Sequence, residues 1–188
     1  MSNHHRGLWG YWGETADGAA LTVQATGIGG PSAVTVLGEL AELGVRRAIR
    51  VGTCAVPGST PALGTGLVVT EACGRDGTSL ALGVSPGSEV EPDEDLTAAL
   101  LAAGGTPTAV VSRDLQLGET SSDDLAVDPR PADLQTAAVL AWCARYGVAA
   151  AAVVVVAGAA GRRLEDDPLE AALVRMAGSA ATVLIRTA

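Results

Sequence analysis

Two short segments decide the fold of this chain: Thr26-Gly27-Ile28-Gly29-Gly30-Pro31-Ser32 and Ile49-Arg50-Val51-Gly52-Thr53-Cys54. Each follows an apolar, β-branched run and becomes glycine-rich or hydroxylic where a strand is expected to end. Loops at the carboxyl ends of strands in an α/β sheet are where ligands usually bind. The two segments therefore predict a small-molecule site on an α/β scaffold, with Arg50 and Thr53 directed at an anion.

The residues around these segments predict a strand–helix–strand unit. Residues 20–25 alternate as a strand does, Pro31 suits the first turn of a helix, and Gly44 ends the helical pattern. Residues 45–51 then form a buried strand. Such a unit implies that the two strands pair in parallel through a right-handed crossover.

The rest of the chain continues the alternation of strands and helices. Further strands are predicted at 67–70, 107–112 and 148–156, and further helices at 96–103, at 133–146 and from Asp167 onward. Asp133 is the expected cap of the 133–146 helix, and Gly147 its end. No linker or internal repeat is evident, so residues 1–188 are predicted to form a single domain.

The composition of the chain argues against several classes of protein. The chain has 188 residues, 48% of them hydrophobic, which suits a domain with a sizeable core and excludes disorder. A net charge of −9 and the lack of phenylalanine oppose nucleic-acid binding. All 12 basic residues are arginines, so Schiff-base chemistry on lysine is excluded.

The cysteines and the first residues indicate the cellular compartment in which the protein is expected. Cys54, Cys73 and Cys143 show no paired spacing, which predicts buried free thiols in a reducing environment. No secretory signal is recognisable, and the apolar run at 148–160 is too short to cross a bilayer. We therefore expect a cytoplasmic protein with no membrane partner. Neighbouring His4 and His5 would point opposite ways on a strand, so no metal site is expected.

Arg50 is the most informative single residue. It lies in an apolar strand end, where an unpaired buried charge is very costly. Thr53, three residues on, can point its hydroxyl to the same side, and a guanidinium with a hydroxyl binds an oxyanion or phosphate well. The alternative is a structural salt bridge between Arg50 and one of the 21 acidic residues.

The glycine loop offers a second contact for a ligand. Its bare positions let a ligand approach the backbone amides, assisted by the dipole of the helix that follows. The alternative is that these glycines serve packing alone. The loop has neither the G-x-G-x-x-G spacing of a dinucleotide site nor the lysine of a nucleoside-triphosphate loop.

Several motifs occur in an order known from one enzyme family. They are Asn3-His4-His5-Arg6-Gly7, Gly10-Tyr11-Trp12-Gly13, the T-G-I-G-G-P-S-A loop, I-R-V-G-T-C, V-V-x-E-A from Val68 to Ala72, and D-L-Q-T-A-A starting at Asp133. On these residues the chain resembles the nucleoside phosphorylase family, which includes purine nucleoside and uridine phosphorylases. The resemblance implies a three-layer α/β fold with a central mixed, largely parallel, twisted sheet flanked by helices.

The resemblance also implies roles for particular residues. The phosphate-binding positions correspond to Arg6, Arg50 and Thr53, with Arg6 reaching into a neighbouring subunit. The positions that line the ribose correspond to Gly27, Ile28, Gly29, Leu134 and Gln135. Inorganic phosphate would be the co-substrate, with no cofactor. The protein would be a homodimer at minimum, and family members commonly stack dimers into hexamers.

The chain departs from the family pattern near its start and in the sugar site. Family chains begin with a strand that ends in G-D-P and an arginine, and this chain starts after them, so the first strand is expected to be missing. A partner or a repacked N-terminus is expected to cover the edge this leaves. Gln135 replaces a glutamate that holds ribose hydroxyls, so the charge that strengthens those hydrogen bonds is lost.

The base site departs further. Gly158 stands where the purine branch has its catalytic acid, so no catalytic residue is assigned. The aromatic residue that follows S-x-D-L in the purine branch is absent, since Gln116 and Leu117 occupy that region. Arg113, Gln116 and Arg162 are the candidates for a base pocket.

Two functions follow from the resemblance. The first is phosphate-dependent cleavage of a nucleoside N-glycosidic bond, with pyrimidine substrates favoured because uracil leaves without strong acid catalysis. The second is a catalytically degenerate subunit or nucleoside-binding module that completes the site of a full-length homologue.

Overall fold

The computed structural model describes residues 2–3, 7–15, 18–119 and 128–186 and shows a mixed α/β fold. Its strands are β1 (Ser2–Asn3), β2 (Gly10–Glu14), β3 (Ala20–Gln24), β4 (Arg47–Val56), β5 (Gly66–Arg75), β6 (Glu89–Val90), β7 (Thr106–Arg113), β8 (Ala132–Asp133), β9 (Ala149–Ala159) and β10 (Arg162–Arg163). Its helices are α1 (Gly30–Glu42), α2 (Gly77–Ala81), α3 (Glu94–Ala102), α4 (Thr136–Tyr146) and α5 (Asp166–Arg186), with a 3-10 turn at Leu117–Glu119.

The central sheet is mixed, as the family resemblance implied. Seven strands follow the order β10-β9-β4-β8-β7-β5-β6, and β5 also pairs with β9, which closes the sheet into a barrel. The pairs β4–β9, β5–β7 and β7–β8 are parallel, whereas β5–β9, β4–β8, β5–β6 and β9–β10 are antiparallel. The closure was not predicted, because strand pattern alone does not say which edges meet.

The predicted parallel pairing of the strands on either side of α1 is wrong. β3 pairs antiparallel with β2 in a separate three-stranded sheet, from Gly10 opposite Gln24 to Glu14 opposite Ala20. The Thr15 amide donates to the Ala19 carbonyl at 2.9 Å, at the base of the connecting turn. A hairpin between strands so close in sequence has a small loop-closure cost, and here it replaces the long-range pairing.

β4 extends further than the predicted 45–51. It continues through Gly52, Thr53 and Cys54, and its parallel register with β9 stays regular from Arg47 to Cys54 before it shifts. The I-R-V-G-T-C segment therefore lies within a strand and does not end one. Pairing along β9, which is buried from Ala150 to Val156, holds these residues in extended conformation.

Two apolar clusters pack on the two faces of β4 and β9. One contains Leu37, Leu140 and Trp142 with alternate β9 residues from Ala150 to Val156, and the other contains Leu96, Leu100 and Val183 with Ala151 and Val153. All three cysteines are buried and free, as predicted. α5 has the length and hydropathy of a helix able to cross a membrane. In the structure it packs on the sheet through Ala172, Ala180 and Val183.

The boundaries of α4 illustrate how a cap is built. Gly147 ends the helix in a left-handed conformation with φ of 70°, as predicted. The helix begins at Thr136 and not at Asp133, because Asp133 belongs to β8. Its carboxylate still accepts a hydrogen bond from the Thr136 amide at 3.2 Å, so it caps the helix from the neighbouring strand.

Candidate functional site

The two segments singled out in the sequence border one large cavity. It has a volume of about 1040 Å³ and lies between the β3–α1 loop and strand β4, with the start of α4 at one end. Its lining includes these residues of predicted function: Gly27, Ile28, Arg50, Thr53, Gln116, Leu134, Gln135 and Gly158. The structure therefore brings residues from five separated parts of the chain to one place.

Arg50 lies across the strand that carries it. A methyl group built on Gly52 would overlap Arg50 Nη1 and would lie 2.5 Å from Cζ, so the guanidinium covers the α-carbon of Gly52. Residues i and i+2 of a strand share a face, and only glycine leaves room for this fold-back. Gly52 of I-R-V-G-T thus allows Arg50 to take this position, because it has no side chain that would meet the guanidinium.

The guanidinium is paired on one side only. Arg50 Nη2 lies 3.1 Å from Asp133 Oδ2, and the two side chains are 11% and 0% exposed. Arg50 Nε and Nη1 are buried and have no hydrogen-bond partner among the described residues. The salt bridge that the sequence left as an alternative is therefore present, yet two donors of the same side chain remain for an oxyanion.

Asp133 is the polar centre that sequence reasoning missed. Besides Arg50, it accepts hydrogen bonds from Ser112 Oγ at 2.6 Å, from Thr136 Oγ1 and from the Thr136 amide. Ser112 Oγ in turn accepts from the Ala137 amide at 2.9 Å. So many donors stabilise a buried carboxylate. Its partners come from separate elements, so the motif gave no signal beyond a helix cap.

Thr53 does not share the face of Arg50, contrary to the expectation. Because β4 is regular here, alternation places Thr53 on the face of Ile49 and Val51, opposite the face of Arg50 and Gly52. Thr53 is exposed and still lines the cavity, since the cavity reaches both faces of the strand. The predicted two-residue phosphate grip would need an anion at the strand edge.

Gln135 fastens the glycine loop. Its Oε1 accepts a hydrogen bond from the Gly29 amide at 2.9 Å, and its Nε2 donates to Thr26 Oγ1 at 3.2 Å. Gly29 is the residue before α1 and has φ of 86°, a conformation that favours glycine. Ile28 between them is 82% exposed. The Gln135 amide thereby holds the loop beside the cavity.

The end of β9 supplies no acid or base. Ala157, Gly158 and Ala159 line the cavity, and a Cβ on Gly158 would lie 3.1 Å from the Cβ of Ala55. Burial and the nearby Asp133 raise the pKa of Cys54 to about 12, against a smaller lowering by Arg50. Cys54 is thus a protonated thiol at neutral pH, which makes it a poor nucleophile.

The three residues predicted to form the base pocket do not lie together in the structure. Gln116 lines the cavity, but Arg113 lies elsewhere, with Nη2 3.4 Å from the Asp128 carbonyl oxygen. Arg162 is exposed on β10, and its neighbour Arg163 lines the cavity in its place. Arg6 lies outside the described residues. Within the described part of the chain, no three His, Cys, Asp or Glu side chains gather to hold a metal ion.

Comparison with known proteins points to one family. No protein-family model matches the chain. A stretch of 69 residues, 37% of this chain, is 42% identical to uridine phosphorylase from Salmonella typhimurium. A stretch of 63 residues, 34% of this chain, is 41% identical to guanosine phosphorylase from Halorubrum lacusprofundi. These stretches cover 27% and 26% of the two relatives, about a quarter of their length. Over the matched stretch, the chain is related to the nucleoside phosphorylases, and the resemblance drawn from its motifs is confirmed.

Proposed function

We propose that this protein binds a nucleoside and phosphate and catalyses phosphorolysis of the N-glycosidic bond. The observation that carries the proposal is Arg50, whose Nε and Nη1 are buried and have no hydrogen-bond partner in the described part of the chain, and whose side chain lines the cavity. A phosphate oxygen accepting from either nitrogen would satisfy it by a charge-assisted hydrogen bond. Asp133 holds the guanidinium in place from its other side.

In the proposed reaction a phosphate oxygen attacks the anomeric carbon of the sugar. The bond from that carbon to the base nitrogen breaks, and the base leaves with the electron pair. The products are pentose 1-phosphate and the free base. The glycine loop at Gly27 and Ile28 would lie against the sugar, since these residues line the same cavity as Arg50.

Pyrimidine nucleosides are the proposed substrates. Gly158 at the end of β9 provides no proton donor, and loss of a general acid typically costs about 10²–10⁴ in rate. Uracil is stable enough as an anion to leave without one, whereas a purine gains more from protonation. Gln116, which lines the cavity, offers an amide to the edge of the base.

A direct assay tests this proposal. The purified protein is incubated with phosphate and either uridine or inosine, and pentose 1-phosphate is measured. We expect product from uridine and at least tenfold less from inosine. The Arg50→Met variant should lose activity, whereas Arg46→Met, which changes an exposed arginine bonded to the Ala41 carbonyl, should not.

A second candidate function rests on Gln135. Its amide is engaged by Gly29 and Thr26, so it offers the sugar less than a free carboxylate would. This favours a subunit or binding module that completes the site of a longer partner. Turnover that appears only after addition of a full-length uridine phosphorylase, above the rate of that enzyme alone, would support this alternative. Turnover by the lone chain would exclude it.

A further inference from the structure

Ser112 reaches the candidate phosphate site only through another residue. Its side chain is fully buried and does not belong to the described lining of the cavity. Its Oγ donates a hydrogen bond to Asp133 Oδ1 at 2.6 Å, and Asp133 Oδ2 lies 3.1 Å from Arg50 Nη2. A single carboxylate therefore separates the serine from the arginine that the proposed function places against phosphate.

Backbone pairing brings Ser112 and Asp133 together. β7 and β8 pair in parallel, with Ser112 directly opposite Asp133. Residues opposite each other on neighbouring strands share a face of the sheet, so their side chains meet. The hydrogen bond between them is therefore a consequence of the strand register and does not depend on a loop.

The start of α4 fixes the direction of this hydrogen bond. The Ala137 amide lies in the first turn of the helix, where amides have no acceptor within the helix, and it donates to Ser112 Oγ at 2.9 Å. A hydroxyl has one proton to donate. With the amide on its oxygen, Ser112 gives that proton to Asp133. The hydroxyl thus links the positive end of α4 to the carboxylate.

The two oxygens of Asp133 have different donors. Oδ2 lies against Arg50 Nη2 and also accepts from the hydroxyl and the amide of Thr136. Oδ1 accepts from Ser112 at 2.6 Å, whereas the other described donors to it are the amides of Thr136 and Gln135, at 3.2 and 3.4 Å. Shorter hydrogen bonds to a charged oxygen are the stronger ones. Ser112 is therefore the principal donor to the oxygen that does not meet Arg50.

A carboxylate beside an anion site needs such a donor. Arg50 and Asp133 together carry no formal net charge, and Asp133 repels any anion that binds to Arg50. A hydrogen bond from Ser112 draws charge towards Oδ1 and stabilises the carboxylate from that side. It also restrains the last torsion of the aspartate, which has broad preferences by itself. The position of Oδ2, and with it that of Arg50 Nη2, is thereby fixed.

We propose that Ser112 is a positioning residue for phosphate. Acting through Asp133, it holds the Arg50 guanidinium so that Nε and Nη1 remain available to an anion, and it reduces the repulsion between Asp133 and that anion. This inference rests on the proposed function, because it takes phosphate as the anion at Arg50. Ser112 itself touches neither the phosphate nor the nucleoside.

Ser79 offers a matched control. It is also a buried serine, and its Oγ donates at 2.6 Å to Asp76, a buried aspartate at the start of α2. Neither Ser79 nor Asp76 belongs to the described lining of the cavity. Ser79→Ala therefore removes the same kind of hydrogen bond without a change at Arg50.

Calorimetric titration with inorganic phosphate tests the inference. We expect Ser112→Ala to raise the Kd for phosphate at least fivefold and Ser79→Ala to leave it within twofold. Ser112→Cys fills nearly the same volume with a weak donor. It serves as the second variant if the alanine variant does not fold, and we expect it to raise the Kd at least threefold. In turnover with uridine, Ser112→Ala should raise KM for phosphate at least fivefold and leave KM for uridine within twofold.

A spectroscopic measurement separates positioning from a general loss of stability. The Nε–H signal of Arg50 is assigned by its loss in Arg50→Met, and its order parameter is obtained from ¹⁵N relaxation. We expect a lower order parameter in Ser112→Ala than in the wild type, and an unchanged one in Ser79→Ala.

Three outcomes would overturn the inference while the wild type still binds phosphate, and so leave the proposed function standing. The first is phosphate binding by Ser112→Ala within twofold of the wild type. The second is equal weakening by Ser79→Ala, which would make lost stability the cause. The third is an unchanged order parameter for Arg50 in Ser112→Ala. Failure of the wild type to bind phosphate would overturn both this inference and the proposed function.

Discussion

Gln135 Oε1 accepts a hydrogen bond from the Gly29 amide at 2.9 Å, although 106 positions separate the two residues in the chain. This bond joins the start of α4 to the start of α1. The Gly29 amide precedes α1, where helix donors have no partner within the helix. Gln135 is thus both part of the cavity wall and a cap for the helix that carries the glycine loop.

Replacement of Gln135 by leucine should loosen this loop. The Gly29 amide would lose its acceptor and Thr26 Oγ1 its donor, which we expect to lower the free energy of unfolding by about 1–3 kcal/mol. Hydrogen exchange at Gly29 should become faster. Gln135→Glu keeps the acceptor, so exchange at Gly29 should stay slow. Equal exchange rates at Gly29 in all three proteins, measured by NMR, would refute the capping role.

Replacement of Asp133 should destabilise the protein more than replacement of its salt-bridge partner Arg50. Asp133→Asn leaves a buried guanidinium without its counter-charge, which we expect to cost about 3–5 kcal/mol. Arg50→Met should cost less, because the donors from Ser112 and Thr136 still stabilise the carboxylate. Urea unfolding of both variants measures the difference. A larger loss in Arg50→Met would show that the carboxylate depends on the arginine, contrary to this reasoning.

The sequence predicted the ends of helices better than it predicted which strands pair with each other. Gly44 and Gly147 marked the ends of α1 and α4 because a left-handed end is a property of a single residue. The pairing of β3 was mispredicted because the same residues fit a local hairpin or a crossover, and pattern does not weigh one against the other. The length of β4 was missed because glycine at position 52 signals a turn, whereas here it makes room for Arg50.

The sequence identified residues of the site but not the contacts between them. Arg50 and Gln135 were recognised from motifs and do meet at one cavity. That Arg50 pairs with Asp133, among 21 acidic residues, depends on where β8 crosses the sheet, which no spacing along the chain encodes. The same holds for the bond between Gln135 and Gly29.

The close approach of Arg50 to Gly52 predicts a coupled pair of substitutions. Gly52→Ala should force the guanidinium away and cost about 1–3 kcal/mol of stability, as overpacking does. Arg50→Met/Gly52→Ala should then lose less than the sum of the two single variants, because the methyl no longer meets the guanidinium. Gly13→Ala, at a strand glycine with open space around its α-carbon, is the control and should change stability by less than about 0.5 kcal/mol. Additive losses in urea unfolding would contradict the steric relationship.

Alkaline pH should destabilise the protein through its buried thiols. Burial raises the pKa of Cys54 and of Cys143 from 9.0 to about 12, with Asp133 adding to the effect at Cys54. Above pH 9 the unfolded chain releases thiol protons that the folded chain retains. The stabilisation by each neutral thiol is therefore complete below pH 9 and is lost as the pH rises towards 12, by up to about 1.4 kcal/mol per pH unit and thiol.

Urea unfolding at about pH 8 and about pH 10.5 measures this loss, and the variants Cys54→Ala and Cys143→Ala identify its source. Other groups also titrate in this range, so the quantity to compare is the pH-dependent difference between each variant and the wild type. Each single variant should have a shallower slope than the wild type, and the double variant the shallowest, because the alanines remove a proton that only the folded chain retains. An identical slope in the double variant and the wild type would mean that these thiols ionise equally in the folded and unfolded chains, and that their burial does not oppose the charge.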